Sequence, residues 1–302
     1  MAILQLDWQQ RLVWKLAPWT TVGRALVAAT QRLEESGSET ASLDAQVLLA
    51  HVLGVDRAWL FAHYDEKLTP EQADNYAELV ARRAAAEPVA YLVGHREFYG
   101  LDLLVDHRVL IPRPETELLV DAVLDHIDSR PNKAVKMVDV GAGSGAIALA
   151  VAANCPGAHI YAVDLSPDAL AVARANVARL DERGQITLLQ GDLLAPLPER
   201  VDIIAANLPY IASPVYLTLA ADVRDYEPRL ALEAGPEGLD AIARLLRQAP
   251  DHLNPGGVLF LEIAHDQGQA VLALAAERLP QASYVGLRQD YHGYDRLVVI
   301  GL

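Results

Sequence analysis

From Val135 onward, short β-branched runs alternate with helix-forming segments, and no other feature narrows the possible folds so far. Runs near 136–140, 159–163, 186–189, 201–205 and 257–263 read as strands. Strands separated by helical patterns predict a mostly parallel α/β sheet with helices on both faces. Two further runs, 283–287 and 296–300, are joined by Gly- and Asp-containing residues. So short a connection requires that closing pair to be antiparallel.

The first of these strands enters Val138-Asp139-Val140-Gly141-Ala142-Gly143-Ser144-Gly145-Ala146-Ile147-Ala148-Leu149. Alternate glycines permit a tight turn and close approach of a ligand, and the following helix start offers free N–H groups. Asp164 ends the second strand at a spacing suited to a carboxylate that accepts from ribose hydroxyls. Gly141, Gly143 and Ala146 formally satisfy a dinucleotide fingerprint. The third glycine at Gly145 and the preceding Asp139 instead write D-x-G-x-G-x-G. That pattern places a carboxylate near a cationic ligand, which gains more from it than a pyrophosphate would.

Beyond the third strand lies Gln190-Gly191-Asp192-Leu193, and beyond the fourth Asn207-Leu208-Pro209-Tyr210. Every one of these features falls at the carboxyl end of a strand, where open α/β sheets bind ligands. The tetrapeptide suits a flat –NH2 group. The Asn207 side-chain oxygen accepts one hydrogen and the Leu208 carbonyl the other, while Pro209 confines Leu208 to extended geometry. Tyr210 supplies a ring for stacking. Asn and Pro are also ordinary turn residues, so the tetrapeptide gains its meaning from its neighbours.

Upstream, residues 20–87 read as helices only. Thr20 or Thr21 caps a helix that runs to Ser36 and ends at Gly37; Ser42 opens a second, stopped at Gly54; a third follows Asp56. Thr69-Pro70-Glu71-Gln72 is a capping box opening a long helix that ends before Pro88. Such helices must pack together as a small bundle, suited to a lid, a partner-docking module or plain support. Residues 88–112, with Gly94 and Gly100, predict a β-hairpin linker, and 113–302 form the α/β domain, with Pro114 opening a helix to about Asp128. Residues 1–19, broken by Asp7, Gln9, Gln10, Arg11 and Lys15, read as an amphipathic or irregular extension and not as a signal peptide.

The formal charge of −15 is spread over the chain, −4 in residues 1–90 and −11 in 91–302. Neither part is a basic module, which argues against a nucleic-acid partner. A single cysteine, Cys155, excludes a disulfide framework and suits a reducing cytoplasm. No apolar run reaches the ~20 residues of a membrane span. The histidines show no ligand spacing, so no metal site is expected.

In order along the chain stand Glu97-Phe98-Tyr99-Gly100, Val109-Leu110-Ile111-Pro112-Arg113-Pro114-Glu115-Thr116-Glu117, the glycine loop, the Asn207 tetrapeptide and Tyr226-Glu227-Pro228-Arg229-Leu230-Ala231-Leu232. Together they resemble the peptide chain release factor N5-glutamine methyltransferases, over roughly residues 20–302. The resemblance implies a class I methyltransferase (Rossmann-like) seven-stranded sheet behind the helical domain and hairpin linker. It implies methyl transfer from S-adenosyl-L-methionine to the Gln of the Gly-Gly-Gln motif in class 1 release factors, leaving S-adenosyl-L-homocysteine. Gly141, Ala142, Gly143, Ser144, Gly145, Asp164, Asp192, Leu193 and Asn207 would hold the cofactor, Asp192 taking the adenine amino group. Asn207, Leu208, Pro209 and Tyr210 would hold the substrate, with Asn207 and Tyr210 catalytic, and Phe98, Arg113, Glu115 and Thr116 would wall the pocket. Glu227 and Arg229 read as a structural ion pair.

Leu208 stands where the family usually has Pro, and Ala264 where it usually has Gly. The Arg113–Glu117 stretch favours the release-factor branch over the enzymes that methylate a ribosomal protein glutamine. Asn-Leu-Pro-Tyr also occurs in rRNA adenine dimethyltransferases, so an adenine-N6 methyltransferase of rRNA or DNA, acting after base flipping, is the first alternative. A cofactor-binding module without transferase activity is the second.

Overall fold

The computed structural model describes residues 2–6, 12–131 and 134–302. The chain divides into two compact units, Met1–Gly94 and His95–Leu302.

In the first unit, Ala2–Leu6 (β1) and Leu12–Leu16 (β2) pair antiparallel, with Leu6 opposite Leu12. The expected amphipathic or irregular extension is thus a strand pair, two aliphatic runs separated by a polar break. Asp7, Gln9, Gln10 and Arg11 of that break lie outside the described residues. Helices Val22–Glu35 (α1), Ala41–Leu53 (α2), Arg57–Ala62 (α3) and Pro70–Ala84 (α4) follow. Thr21 caps α1 by accepting from the Arg24 N–H, and Thr69 and Gln72 complete both bonds of the capping box on α4. α2 starts at Ala41, a residue before Ser42. Its N-cap, Thr40, gives its hydroxyl to Asp44 at 2.9 Å instead of capping, and Asp44 in turn pairs with Arg83 of α4 at 2.8 Å. The core gathers Leu33, Leu48, Leu49, Leu60 and Tyr76, whose hydroxyl donates to the Ala45 carbonyl at 2.9 Å.

Residues Val89–Val93 form a short helix (α5), not a strand, ended by Gly94 in left-handed geometry. The hairpin is therefore shorter than predicted, His95–Phe98 (β3) against Leu101–Leu104 (β4). Its turn residues Tyr99 and Gly100 have φ of 52° and 77°, both positive as a two-residue turn matched to strand twist requires.

The rest of the second unit is built on one seven-stranded sheet. A single-turn 3-10 segment at Pro114–Thr116 opens Glu117–Ser129 (α6). Then come Val135–Val140 (β5), Ala146–Asn154 (α7), Ala158–Asp164 (β6), Pro167–Leu180 (α8), Ile186–Gln190 (β7) and Val201–Ala206 (β8). Two single-turn helices, Ser213–Tyr216 (α9) and Ala221–Arg224 (α10), lead to Asp240–His252 (α11) and Leu253–Glu262 (β9). Gly268–Arg278 (α12), Tyr284–Gln289 (β10) and Asp295–Gly301 (β11) complete it. The strand order is β10-β11-β9-β8-β5-β6-β7. β11 runs antiparallel between β9 and β10, while the strands from β9 to β7 are parallel.

The central strands are buried on both faces, as parallel strands between helices must be. Met137, Ile160, Ile203 and Phe260 face the α6–α7 side, and Val138, Val163, Ile204 and Leu261 the α11–α12 side. Strand order reverses between β5 and β8, whose ends meet in register at Val140 and Ala206. Gly141 and Asn207 therefore emerge side by side at the switch point, where such sheets open a crevice.

Candidate active site

A cavity of about 350 Å³ occupies that crevice. Val140, Val163, Leu165, Leu193 and Pro228 make most of its wall apolar, and Asp164, Asp192 and Asn207 give it polar points. That size and balance fit a small organic ligand.

The glycine loop is shaped by its backbone. The N–H groups of Gly141 and Ala142 both donate to the Val163 carbonyl, at 2.8 and 3.0 Å, folding the chain sharply after β5. Gly141 and Gly143, at φ of 79° and 55°, face the cavity. A Cβ on Gly141 would stand 3.3 Å from the Leu208 side chain and 3.5 Å from the Asn207 carbonyl. Glycine thus serves both the turn and the seam between loop and tetrapeptide. Ala142, Ser144 and Gly145, expected to hold the cofactor, do not line the cavity. Ala142 turns into the core, the Ser144 carbonyl accepts from Asn176 at 2.9 Å, and Gly145 caps α7 with a left-handed backbone. In so tight a turn only alternate residues face one side.

Asp164 reaches the same loop. One oxygen accepts from the Gly143 N–H and the other from the Ser166 N–H, both at 2.8 Å. Burial pushes its pKa upward, partly offset by these N–H groups. Each oxygen keeps a lone pair for a ligand hydroxyl. Asp192 lines the cavity too, but it is held by an ion pair with Arg244 of α11, a partner the sequence reading did not anticipate. Both side chains are well exposed, so the pair contributes little stability and is open to exchange. Leu193 adopts φ of 51°, an outlier for a branched residue, and turns its side chain under the cavity.

Asp139 has no exposure. One of its oxygens accepts from the Ala148 N–H at 3.0 Å and the other has no partner among the described residues; burial raises its pKa to about 7. It sits behind the loop, not in the cavity wall.

Asn207, Leu208 and Pro209 line the cavity. The Asn207 Nδ2 donates to the Thr116 hydroxyl at 3.1 Å. Neither the Asn207 Oδ1 nor the Leu208 carbonyl is used by another group among the described residues. Tyr210 departs from expectation: its ring packs against the α11–α12 side of the core and is absent from the cavity wall. Its hydroxyl pKa is pushed up by burial.

None of the four predicted wall residues lines the cavity itself. Phe98, 1% exposed, lies in the core, because the alternation of β3 turns it inward beside Leu103 and Leu119. Arg113 pairs with Glu227, which also accepts from the Ile111 N–H at 3.1 Å. Arg229, the expected partner of Glu227, pairs with Glu233 instead. Glu115 is exposed and outside the cavity wall. Of the four, Thr116 alone meets the site, through Asn207. The walls come instead from Arg108, Val109 and Leu110 on one side and Pro228, Leu230 and Ala231 on the other. The Arg113–Glu227 pair ties these two segments together.

Glu262, at the end of β9, was passed over in the sequence. It is 4% exposed and beside Thr116 and Asn207. A carboxylate closing an otherwise apolar strand, Val258-Leu259-Phe260-Leu261-Glu262, was the available signal. Among the described residues no cluster of His, Cys, Asp and Glu is arranged to hold a metal, and no helix is long and apolar enough to cross a membrane.

Residues 24–94 match the PrmC N-terminal domain family, and 115–221 match the methyltransferase small domain family. The release factor glutamine methyltransferase of Moorella thermoacetica is 46% identical, the match covering 91% of this chain and 96% of that protein. The enzyme of that name from Cereibacter sphaeroides is 44% identical over 91% and 96%. The hMettl16 catalytic domain, solved in complex with MAT2A 3'UTR hairpin 6, shares the fold at a TM-score of 0.53 and 16% identity, covering 74% of this chain and 81% of that one. The sheet order is that of class I methyltransferases, and with such identity over nearly its whole length the chain belongs to the release factor glutamine methyltransferase family.

Proposed function

We propose that this protein methylates the side-chain amide nitrogen (N5) of the Gln in the Gly-Gly-Gln motif of class 1 release factors, in the cytoplasm, using S-adenosyl-L-methionine. The observation that carries the reading is the pair of unused acceptors, Asn207 Oδ1 and the Leu208 carbonyl, beside a glycine-lined cavity. The cavity residues fit the cofactor: open backbone at Gly141 and Gly143, apolar walls for a flat ring, and carboxylates at Asp164 and Asp192 for hydroxyl and amino groups. When bound, S-adenosyl-L-methionine supplies an electrophilic methyl group on a sulfonium.

A carboxamide nitrogen is a weak nucleophile because its lone pair is delocalised into the carbonyl. No His or Lys lines the cavity to act as a strong base, so positioning carries the rate. Asn207 and Leu208 hold both amide hydrogens and stabilise positive charge developing on nitrogen, which is discharged when the methylated amide releases one of those protons to water. Pro209 keeps the Leu208 carbonyl aimed, and Arg113–Glu227 holds the two wall segments against the cavity.

Mass spectrometry of a release factor after incubation with the protein and cofactor tests the reading. One added methyl group on the Gly-Gly-Gln glutamine is the expected product. Label appearing only in rRNA or duplex DNA overturns it. Asp164 supplies a second measurement. Asp164→Asn leaves one of two backbone N–H groups without its acceptor and removes the charge. Affinity for S-adenosyl-L-homocysteine should fall by about tenfold or more, the worth of a hydrogen bond to a charged group, read by calorimetry. Unchanged affinity removes Asp164 from the site.

A further inference from the structure

The tetrapeptide works only if Asn207 presents its oxygen, since its –NH2 end cannot accept from a substrate amide. The two ends of a carboxamide are nearly the same size, so hydrogen bonding decides which one faces inward. Thr116 does not decide it alone. A hydroxyl both donates and accepts, and it can meet either end of Asn207 equally well.

Glu262 breaks that symmetry. It ends β9 beside β8, one residue past the Ala206–Leu261 pair, so it stands next to Asn207, and Thr116 and Asn207 both favour its charged form. An ionised carboxylate only accepts. Beside it the Thr116 hydroxyl must donate, which leaves the Thr116 oxygen to accept from the Asn207 Nδ2 at 3.1 Å. The Glu262 Oε2 is buried and has no hydrogen-bond partner among the described residues, which leaves it to accept the second Nδ2 hydrogen. We infer that Glu262 is a positioning residue: its carboxylate holds the Asn207 amide with nitrogen inward, so that Oδ1 is the atom offered to the substrate. This rests on the functional reading above for the identity of the substrate, but the orientation itself exists without one.

Protonation turns the group into a donor and removes the bias. Burial raises the Glu262 pKa to about 7, offset by Thr116, Arg296 and Asn207 and reinforced by Glu115. The groups around it are Thr116 of the 3-10 segment, Arg296 of β11, and Asn207 and Tyr210 after β8, with the charge of the exposed Glu115 acting on it as well. On α6, His126 stands edge-on to Phe260, and burial lowers its pKa below the ordinary histidine value. Since Asn207 is correctly held only beside the anion, kcat should fall as pH drops through about 7. Asp139 is raised into the same range, so the assignment needs variants.

The test follows the Asn207 side-chain amide by NMR across pH in the substrate-free protein, identified by its loss in Asn207→Ala. The resonances should shift with a midpoint near the Glu262 value, and the shift should vanish in Glu262→Gln. In parallel, Glu262→Gln should lower kcat roughly tenfold, as loss of a hydrogen bond to a charged group does, flatten its acid limb and leave the cofactor KM unchanged. Thr116→Val should lose a similar factor, and Thr116→Ser, which restores the hydroxyl, should recover most of it. That pair decides the matter if Glu262→Gln fails to fold. Asn207 resonances and kcat unaltered in Glu262→Gln and Thr116→Val overturn the inference. A wild-type protein that titrates at Asn207 yet transfers nothing to a release factor overturns the functional reading alone.

Discussion

Asn207→Ala lowers the rate of methyl transfer about 10²–10³-fold, the usual consequence of removing one preorganised partner of a transition state. On the proposed reading the substitution takes away Oδ1, one of the two acceptors for the substrate amide. It spares the backbone that packs against Gly141 and the residues that carry the rest of the cavity. Affinity for S-adenosyl-L-homocysteine should therefore stay within a few-fold of wild type. The separating measurement is single-turnover methylation at saturating cofactor beside calorimetric binding. Equal losses in rate and cofactor affinity would reassign Asn207 to the cofactor's site and leave the amide without its grip.

Arg113→Met should destabilise the second unit by about 3 kcal/mol, the low end for breaking a buried ion pair because Arg113 is one-third exposed. Glu227 keeps the Ile111 N–H but loses its counter-ion at a side chain only 2% exposed. For a unit of this length that loss lowers Tm by roughly 6–12 °C. All four tryptophans fall within the first 59 residues, so the transition is read by calorimetry or circular dichroism rather than by fluorescence. The double variant Arg113→Met/Glu227→Met should regain most of the stability, since an apolar pair carries no stranded charge. A single variant as stable as wild type would mean that the wall segments are held without the pair.

The strand–helix alternation made the sheet legible, down to the antiparallel closing pair, because periodicity and loop length act locally. The capping box on α4 and the left-handed stop at Gly54 were legible for the same reason. The hairpin was overextended because Val89-Ala90-Tyr91-Leu92-Val93 is a short apolar run that periodicity cannot assign, and Pro88 with Gly94 tipped it to helix. At the site, Gly141, Gly143, Asp164, Asp192 and Asn207 to Pro209 all line the cavity, since each follows or ends a strand of one parallel sheet. The misplaced residues share a different cause. Whether Phe98 or Tyr210 faces a cavity or a core depends on which way a side chain leaves the chain after the last regular residue. Pairings such as Arg113 with Glu227 and Arg244 with Asp192 span 114 and 52 positions. No local pattern encodes them.

Because Gly141 carries no Cβ, the glycine loop can close against the tetrapeptide, where a Cβ would stand 3.3 Å from Leu208 and 3.5 Å from the Asn207 carbonyl. The branched side chain of Leu208 fills that space from one side, and the hydrogen on Gly141 leaves room for it from the other. At its φ of 79°, position 141 is confined to glycine even where Leu208 is replaced by something smaller.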